Sequence, residues 1–170
     1  NLNRIRFIDI EYDDTWLRDS GPITLCSDTG FQLNDYRFTG WGGKFAANRD
    51  DCLIEGLVQQ GIFHNAEHER IDWALEGGAI ESDGAGTILS TWRCLQQRHP
   101  AQSRTEITRM LVDSLAARRV LWLEHGYLEG DDTDAHIDTL ARFSPDNGLV
   151  YQSCQDTTDP HYAELARMAE

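Results

Sequence analysis

One pattern recurs along this chain and limits what it can fold into. Two short apolar runs split by a turn are followed by an amphipathic helix and a third apolar run. In the first copy Ile23 to Cys26 and Phe31 to Phe38 flank the turn Asp28-Thr29-Gly30, which predicts a hairpin. A helix capped by Asp50 or Asp51 then runs to about Gln60, with Leu53, Ile54, Leu57 and Val58 on one face, and a strand near Arg70 to Trp73 closes the unit. In the second copy Leu75 to Glu81 and Thr87 to Trp92 flank Ser82 to Gly86. A helix starting at Ser103 or Thr105 presents Ile107, Met110, Leu111 and Leu115, and Val120 to Leu123 is the closing strand. The third copy pairs His136 to Phe143 with Leu149 to Ser153 across Pro145 to Gly148, and enters a helix that reaches Glu170. Outside the repeat, Arg4 to Ile10 alternates like a strand and Gly40 to Lys44 reads as a loop.

The fold class is therefore α/β (α+β), one partial domain of repeated strand–strand–helix–strand units over roughly 22–73, 76–123 and 136–170. A repeat that cannot bury its own flank needs further copies. With its third unit ending inside a helix, the chain reads as a fragment with parts expected beyond both ends. Its 170 residues, 40% of them hydrophobic, are enough for a real core.

Each unit opens with residues suited to chemistry: Asp19 just before the first, Glu76 in the second, His136 and Asp138 in the third. If the units pack round an axis with their first strands innermost, these side chains converge on one cavity. The densest cluster is Asp131 to Arg142, where Asp131, Asp132, Asp134 and Asp138 surround His136. His136 and Asp138, two apart, would leave the same face of a strand but nearly opposite faces of a helix. An imidazole beside a carboxylate on a rigid element is a proton-transfer fragment. The competing reading is a solvated acidic loop followed by an ordinary strand.

A formal charge of −14 and a pI near 4.7 argue against nucleic acid or an anionic membrane as partner, and suit a cationic substrate. Asn1 to Asp9 is charged throughout and does not read as a signal, and no apolar run is long enough to span a bilayer. Cys26, Cys52, Cys94 and Cys154 lie far apart without a C-x-x-C pair, as reduced thiols of a cytoplasmic protein would. A second class of reading is a divalent-metal site from Asp132, Asp134, His136 and Asp138. The calcium-loop pattern fails there, because Ile137 stands where a glycine is required and Phe143 where a bidentate glutamate is required. Other residues have plain structural readings. Asp19 would cap a turn before Gly21-Pro22, Trp16 would be a core aromatic, Gly42 and Gly43 turn residues, and Cys94 and Cys154 inert buried thiols.

Four stretches, D-T-W-L-R-D-S-G-P from Asp14, G-W-G-G-K-F from Gly40, L-E-G-G-A-I-E-S-D-G-A-G-T from Leu75 and D-D-T-D-A-H-I-D-T-L-A-R-F from Asp131, together resemble one family. It is the bacterial agmatine deiminase and Porphyromonas-type peptidyl-arginine deiminase family of guanidine-modifying penteins, and the resemblance covers about Ile8 to Phe143. It implies five pseudo-repeated units around a channel and hydrolysis of a guanidinium to a ureido group with release of ammonia, without metal or other cofactor. Agmatine, giving N-carbamoylputrescine, is the expected substrate and peptidyl arginine the alternative. By the same resemblance Asp19 and Asp138 grip the guanidinium nitrogens, His136 is the general acid and base, and Trp16, Asp132 and Glu76 contact substrate. The family's T-D-G-H reads T-D-A-H here, so Ala135 is costly if its φ is positive. The family's nucleophile is a cysteine after a histidine in a glycine-rich C-terminal motif, and none of the four cysteines fits. Five units need roughly 300 residues, so the chain alone is expected to be inactive, or else a non-catalytic guanidinium-binding remnant. Open strand edges are expected to favour association, including a homodimer.

Overall fold

The computed structural model describes residues 5–146 and 148–170. Helix α1 (Leu17–Ser20) leads into β1 (Ile23–Ser27) and β2 (Gly30–Arg37), then an irregular turn, α2 (Gly40–Gly43). A 3-10 turn at Asp50–Cys52 runs into α3 (Leu53–Gln59), followed by β3 (Ala66–Ala74). The hairpin β1–β2 is antiparallel and β2–β3 is parallel, with α3 crossing between them. The arrangement recurs in β4 (Ile80–Ser82), β5 (Thr87–Thr91) and β6 (Arg119–Leu123). There α4 (Trp92–Arg98) and α5 (Arg104–Ser114) make the crossover. A third hairpin joins β7 (Ala141–Phe143) to β8 (Leu149–Tyr151), and α6 (Tyr162–Met168) follows. The result is a mixed α/β fold of small sheets, with no closed barrel among the described residues. No described helix is long and apolar enough to cross a membrane.

The main core lies between the first two units. Tyr36, Trp73, Ile88, Leu95, Ile107 and Leu111 pack there, the last two with no exposed surface. Burial of each such aliphatic side chain stabilises by about 1.5–3 kcal/mol. Of the two expected starts, Ser103 and Thr105, it is Ser103 that caps α5, in a reciprocal box with Glu106.

Several expectations are corrected. Ile5 to Ile10 forms no strand, and Arg4 lies outside the described residues. Alternation gives a strand only where a neighbour supplies hydrogen bonds, and this segment has no paired strand, leaving Phe7 87% exposed. Neither Asp50 nor Asp51 caps α3: Asp50 accepts the amides of Asp13 and Asp14 at 2.8 and 3.0 Å, and Asp51 that of Phe38 at 2.6 Å. Leu75 to Glu81 is a strand only from Ile80, because Gly77–Ala79 makes a 3-10 turn, and Trp92 begins α4 instead of ending β5. His136 to Phe143 is not a continuous strand: Ile137–Thr139 is a 3-10 turn and only Ala141–Phe143 pairs.

Candidate active site

Three segments that each precede a unit's first strand are drawn to one point by backbone contact. Gly77 and Gly78 make this contact feasible. A Cβ on Gly77 would stand 2.2 Å from the Arg18 carbonyl oxygen. One on Gly78 would stand 2.5 Å from His136 Nδ1, 2.7 Å from Asp19 Oδ1 and 2.8 Å from Asp138 Oδ2. Only a residue without a side chain lets the backbone approach so closely. The same geometry shows that Asp19, His136 and Asp138, remote in sequence, meet at one place.

Asp19 and His136 are buried, at 6% and 1% exposure. Asp19 Oδ2 accepts the Trp41 indole N–H at 3.0 Å and Oδ1 accepts the Gly78 amide at 2.9 Å. A carboxylate has about four lone-pair sites, so two remain for a ligand. His136 Nδ1 lies 3.7 Å from Asp19 Oδ1. Burial raises the Asp138 pKa above its ordinary value; the His136 charge opposes this and the Asp19 carboxylate adds to it.

His136 and Asp138 share the site for a different reason from strand alternation. Asp131 accepts the amides of Thr133 at 2.8 Å and Ala135 at 2.7 Å, folding the acidic loop back on itself. Asp134 and Ala135 then take left-handed φ of 66° and 73°, and the 3-10 turn after His136 returns Asp138 to the same side. Ala135 therefore carries the strained conformation that its sequence position put at issue.

A cavity of about 370 Å³ opens over this point, lined in part by Trp16, Asp19, Trp41, Asp132, His136 and Asp138. Five of the six candidate residues thus share it. Glu76 does not line it. It is buried behind His136 at 1% exposure, its Oε2 3.7 Å from His136 Nε2 and its Oε1 accepting Arg98 Nε at 2.7 Å. Burial alone would raise the Glu76 pKa, but His136 and Arg98 outweigh it and hold the carboxyl below its usual range. Trp16 is 63% exposed, a wall of the cavity mouth and not a core aromatic.

The calcium-like arrangement is not formed. Asp134 turns away to Lys44 Nζ and Arg98 Nη1, both at 2.7 Å, and so cannot share an ion with Asp138. Lys44 also donates to the Asp132 carbonyl at 2.6 Å, tying its loop to the acidic stretch.

Sequence reasoning missed Trp41 and Arg98. Trp41 is held at φ 56°, between Gly40 and Gly42 at 63° and 81°. Three glycines around one tryptophan were the available signal, since such a run permits a left-handed turn that aims the indole inward. Arg98 ties Glu76 to the acidic loop through Asp134 and the Thr133 carbonyl (2.9 Å). Nothing local marks an arginine at the end of an amphipathic helix as buried.

The family model described as Porphyromonas-type peptidyl-arginine deiminase matches residues 1–170. An agmatine deiminase of Pseudomonas aeruginosa (strain LESB58) is 36% identical over 166 residues, covering 93% of this chain and 44% of that protein. That of Stutzerimonas stutzeri (strain A1501) is 34% identical over 168 residues, 94% of this chain and 45% of the relative. The solved structure of the C. jejuni agmatine deiminase with substrate bound superposes with a TM-score of 0.91 at 34% identity, over 96% of this chain and 49% of that one. The chain thus spans about half the length of the relatives it matches.

Proposed function

The chain belongs to the Porphyromonas-type peptidyl-arginine deiminase family, and from that premise we propose that it supplies the substrate clamp and proton shuttle of a guanidine deiminase. The observation that carries this reading is the approach of two carboxylates and an imidazole to a single point beside Gly78. A guanidinium is flat, permanently charged and edged with N–H donors, so carboxylates from two directions both hold and orient it. Asp19 and Asp138 fill that role, with Trp16 and Trp41 as flat walls for the cation and Asp132 at the mouth for the substrate's far end. Glu76 acts through His136, not on substrate.

The chemistry follows from these positions. A thiolate adds to the guanidinium carbon, the C–N bond breaks, and the departing ammonia takes a proton from His136. Water then adds, giving His136 its proton, and the C–S bond breaks to release the ureido product. None of Cys26, Cys52, Cys94 and Cys154 lines the cavity, so the thiol would come from outside these residues and this chain alone would not turn over. The recurring pairing of β1–β3 and β4–β6, together with the relatives' fold, supports reading the chain as 22–73, 76–123 and 136–170 of a five-unit pentein propeller. The uncovered strand β8, with Val150 65% exposed, supports association of the isolated chain through that edge.

Agmatine is the substrate best supported, because the curated relatives quoted above carry that name. Peptidyl arginine is the second reading, favoured by the description of the family model. Full-length protein offered agmatine, arginine and arginyl peptides, with ammonia and ureido product measured, tests both. Ureido product from agmatine alone supports the first reading. Product from none of the three rejects the proposal.

A further inference from the structure

Behind the cavity, the Nε2 edge of His136 faces Glu76 and Cys94, neither of which lines the cavity. Two side-chain atoms there, Glu76 Oε2 and His136 Nε2, are fully buried without a hydrogen-bond partner. At 3.7 Å they are too far apart to satisfy each other. Buried polar groups are rarely left in that state, since each costs about 1–3 kcal/mol. A third atom completes the set: one ligand atom each from Glu76, Cys94 and His136 lies within 4.8 Å of the others. Cys94 has no exposed surface, and its thiol makes only a weak contact of 3.7 Å to the Thr133 carbonyl.

We propose that Glu76, Cys94 and His136 form a binding site for a borderline-soft divalent cation of the zinc type. The donor set argues for that class: thiolate, imidazole and carboxylate are its usual ligands, whereas calcium and magnesium prefer oxygen alone. The spacing agrees. Bonds of about 2.0–2.3 Å put neighbouring tetrahedral ligand atoms roughly 3.3–3.8 Å apart. The glutamate–histidine pair already meets this, and the sulfur needs to move in by at most about 1.5 Å on the same estimate. Arg98 bonds Glu76 through Oε1 only, which keeps the carboxyl ionised and leaves Oε2 directed at the site. On binding, the Cys94 thiol proton leaves to solvent as the metal–sulfur bond forms.

One consequence rests on the deiminase reading given above. His136 faces the cavity side with Nδ1 and Glu76 with Nε2. A metal on Nε2 leaves that nitrogen no place for a proton, so the imidazolium that the shuttle passes through cannot form, and zinc would inhibit.

Binding is tested without activity, in the 170-residue chain, which lacks any thiol beyond its four cysteines. Zinc is titrated calorimetrically, and cobalt(II) is used as a probe whose thiolate charge-transfer absorption reports sulfur ligation. One equivalent is expected in the wild type and in the C26S/C52S/C154S variant, with the cobalt band present in both. Cys94→Ala should abolish the band and weaken zinc binding at least tenfold, with unchanged circular dichroism. Glu76→Gln should weaken binding without removing the band at saturating cobalt. No stoichiometric binding, or a band that survives Cys94→Ala, overturns the site. In the full-length protein, zinc inhibition that Cys94→Ala relieves adds the functional consequence. Failure of that arm alone, with binding intact, counts against the catalytic role of His136 and not against the metal site.

Discussion

Gly78→Ala isolates the convergence on which the functional reading depends. Gly78 does not have a left-handed φ, so the backbone accepts alanine and the effect is steric. The new methyl would stand 2.5, 2.7 and 2.8 Å from the His136, Asp19 and Asp138 atoms. Ordinary contact begins near 3.4 Å. The three groups must therefore retreat by about 0.6–0.9 Å, and a misplacement of about 1 Å costs on the order of 10²-fold in rate. In the full-length protein kcat/KM for agmatine should fall about a hundredfold, with circular dichroism unchanged. Gly56→Ala is the control: it sits in α3, where the methyl meets only the flexible tip of Ile10, and activity should persist. If Gly78→Ala keeps kcat/KM within about threefold of wild type, the three groups do not act at a common point and the clamp is wrong.

Three further outcomes follow from the same geometry. Arg98→Met strips the cation from a buried carboxylate, both side chains being 1% exposed. It should cost about 3–5 kcal/mol in urea unfolding, and a loss under about 1 kcal/mol would show that Glu76 is not held by this pair. Ala135→Gly releases about 1–2 kcal/mol of left-handed strain but removes a buried methyl worth about 0.8 kcal/mol and loosens the unfolded chain. Stability should therefore stay within about 1 kcal/mol, and a loss above about 2 kcal/mol contradicts the strain at φ 73°. Asp138 has a pKa raised by burial, so the fold disfavours its charged form and that cost disappears on protonation. Affinity for agmatine should accordingly weaken as pH falls through this raised pKa. A binding profile flat down to the ordinary aspartate value, about 3.9, refutes the Asp138 contact.

The order of elements was legible from residues alone wherever local rules decide. Asp28-Thr29-Gly30 turned the first hairpin, a serine or threonine at 103–105 started α5, and the apolar period of Ile107, Leu111 and Leu115 faced that helix inward. Asp19, His136 and Asp138 stood out in the sequence only as chemistry-type residues at or just before the start of a unit, and the roles expected of them came from the family resemblance. Tertiary structure alone decided how they meet. A 3-10 turn, not a strand, aims Asp138, and two backbone amides, not a helix end, claim Asp50. Glu76 went behind the imidazole because a buried arginine from a distant helix was there to pair with it. The division has a physical cause. Turns, caps and periodicity are fixed by neighbours within a few residues, whereas a site made by close approach of remote backbones depends on contacts that no short window of sequence contains.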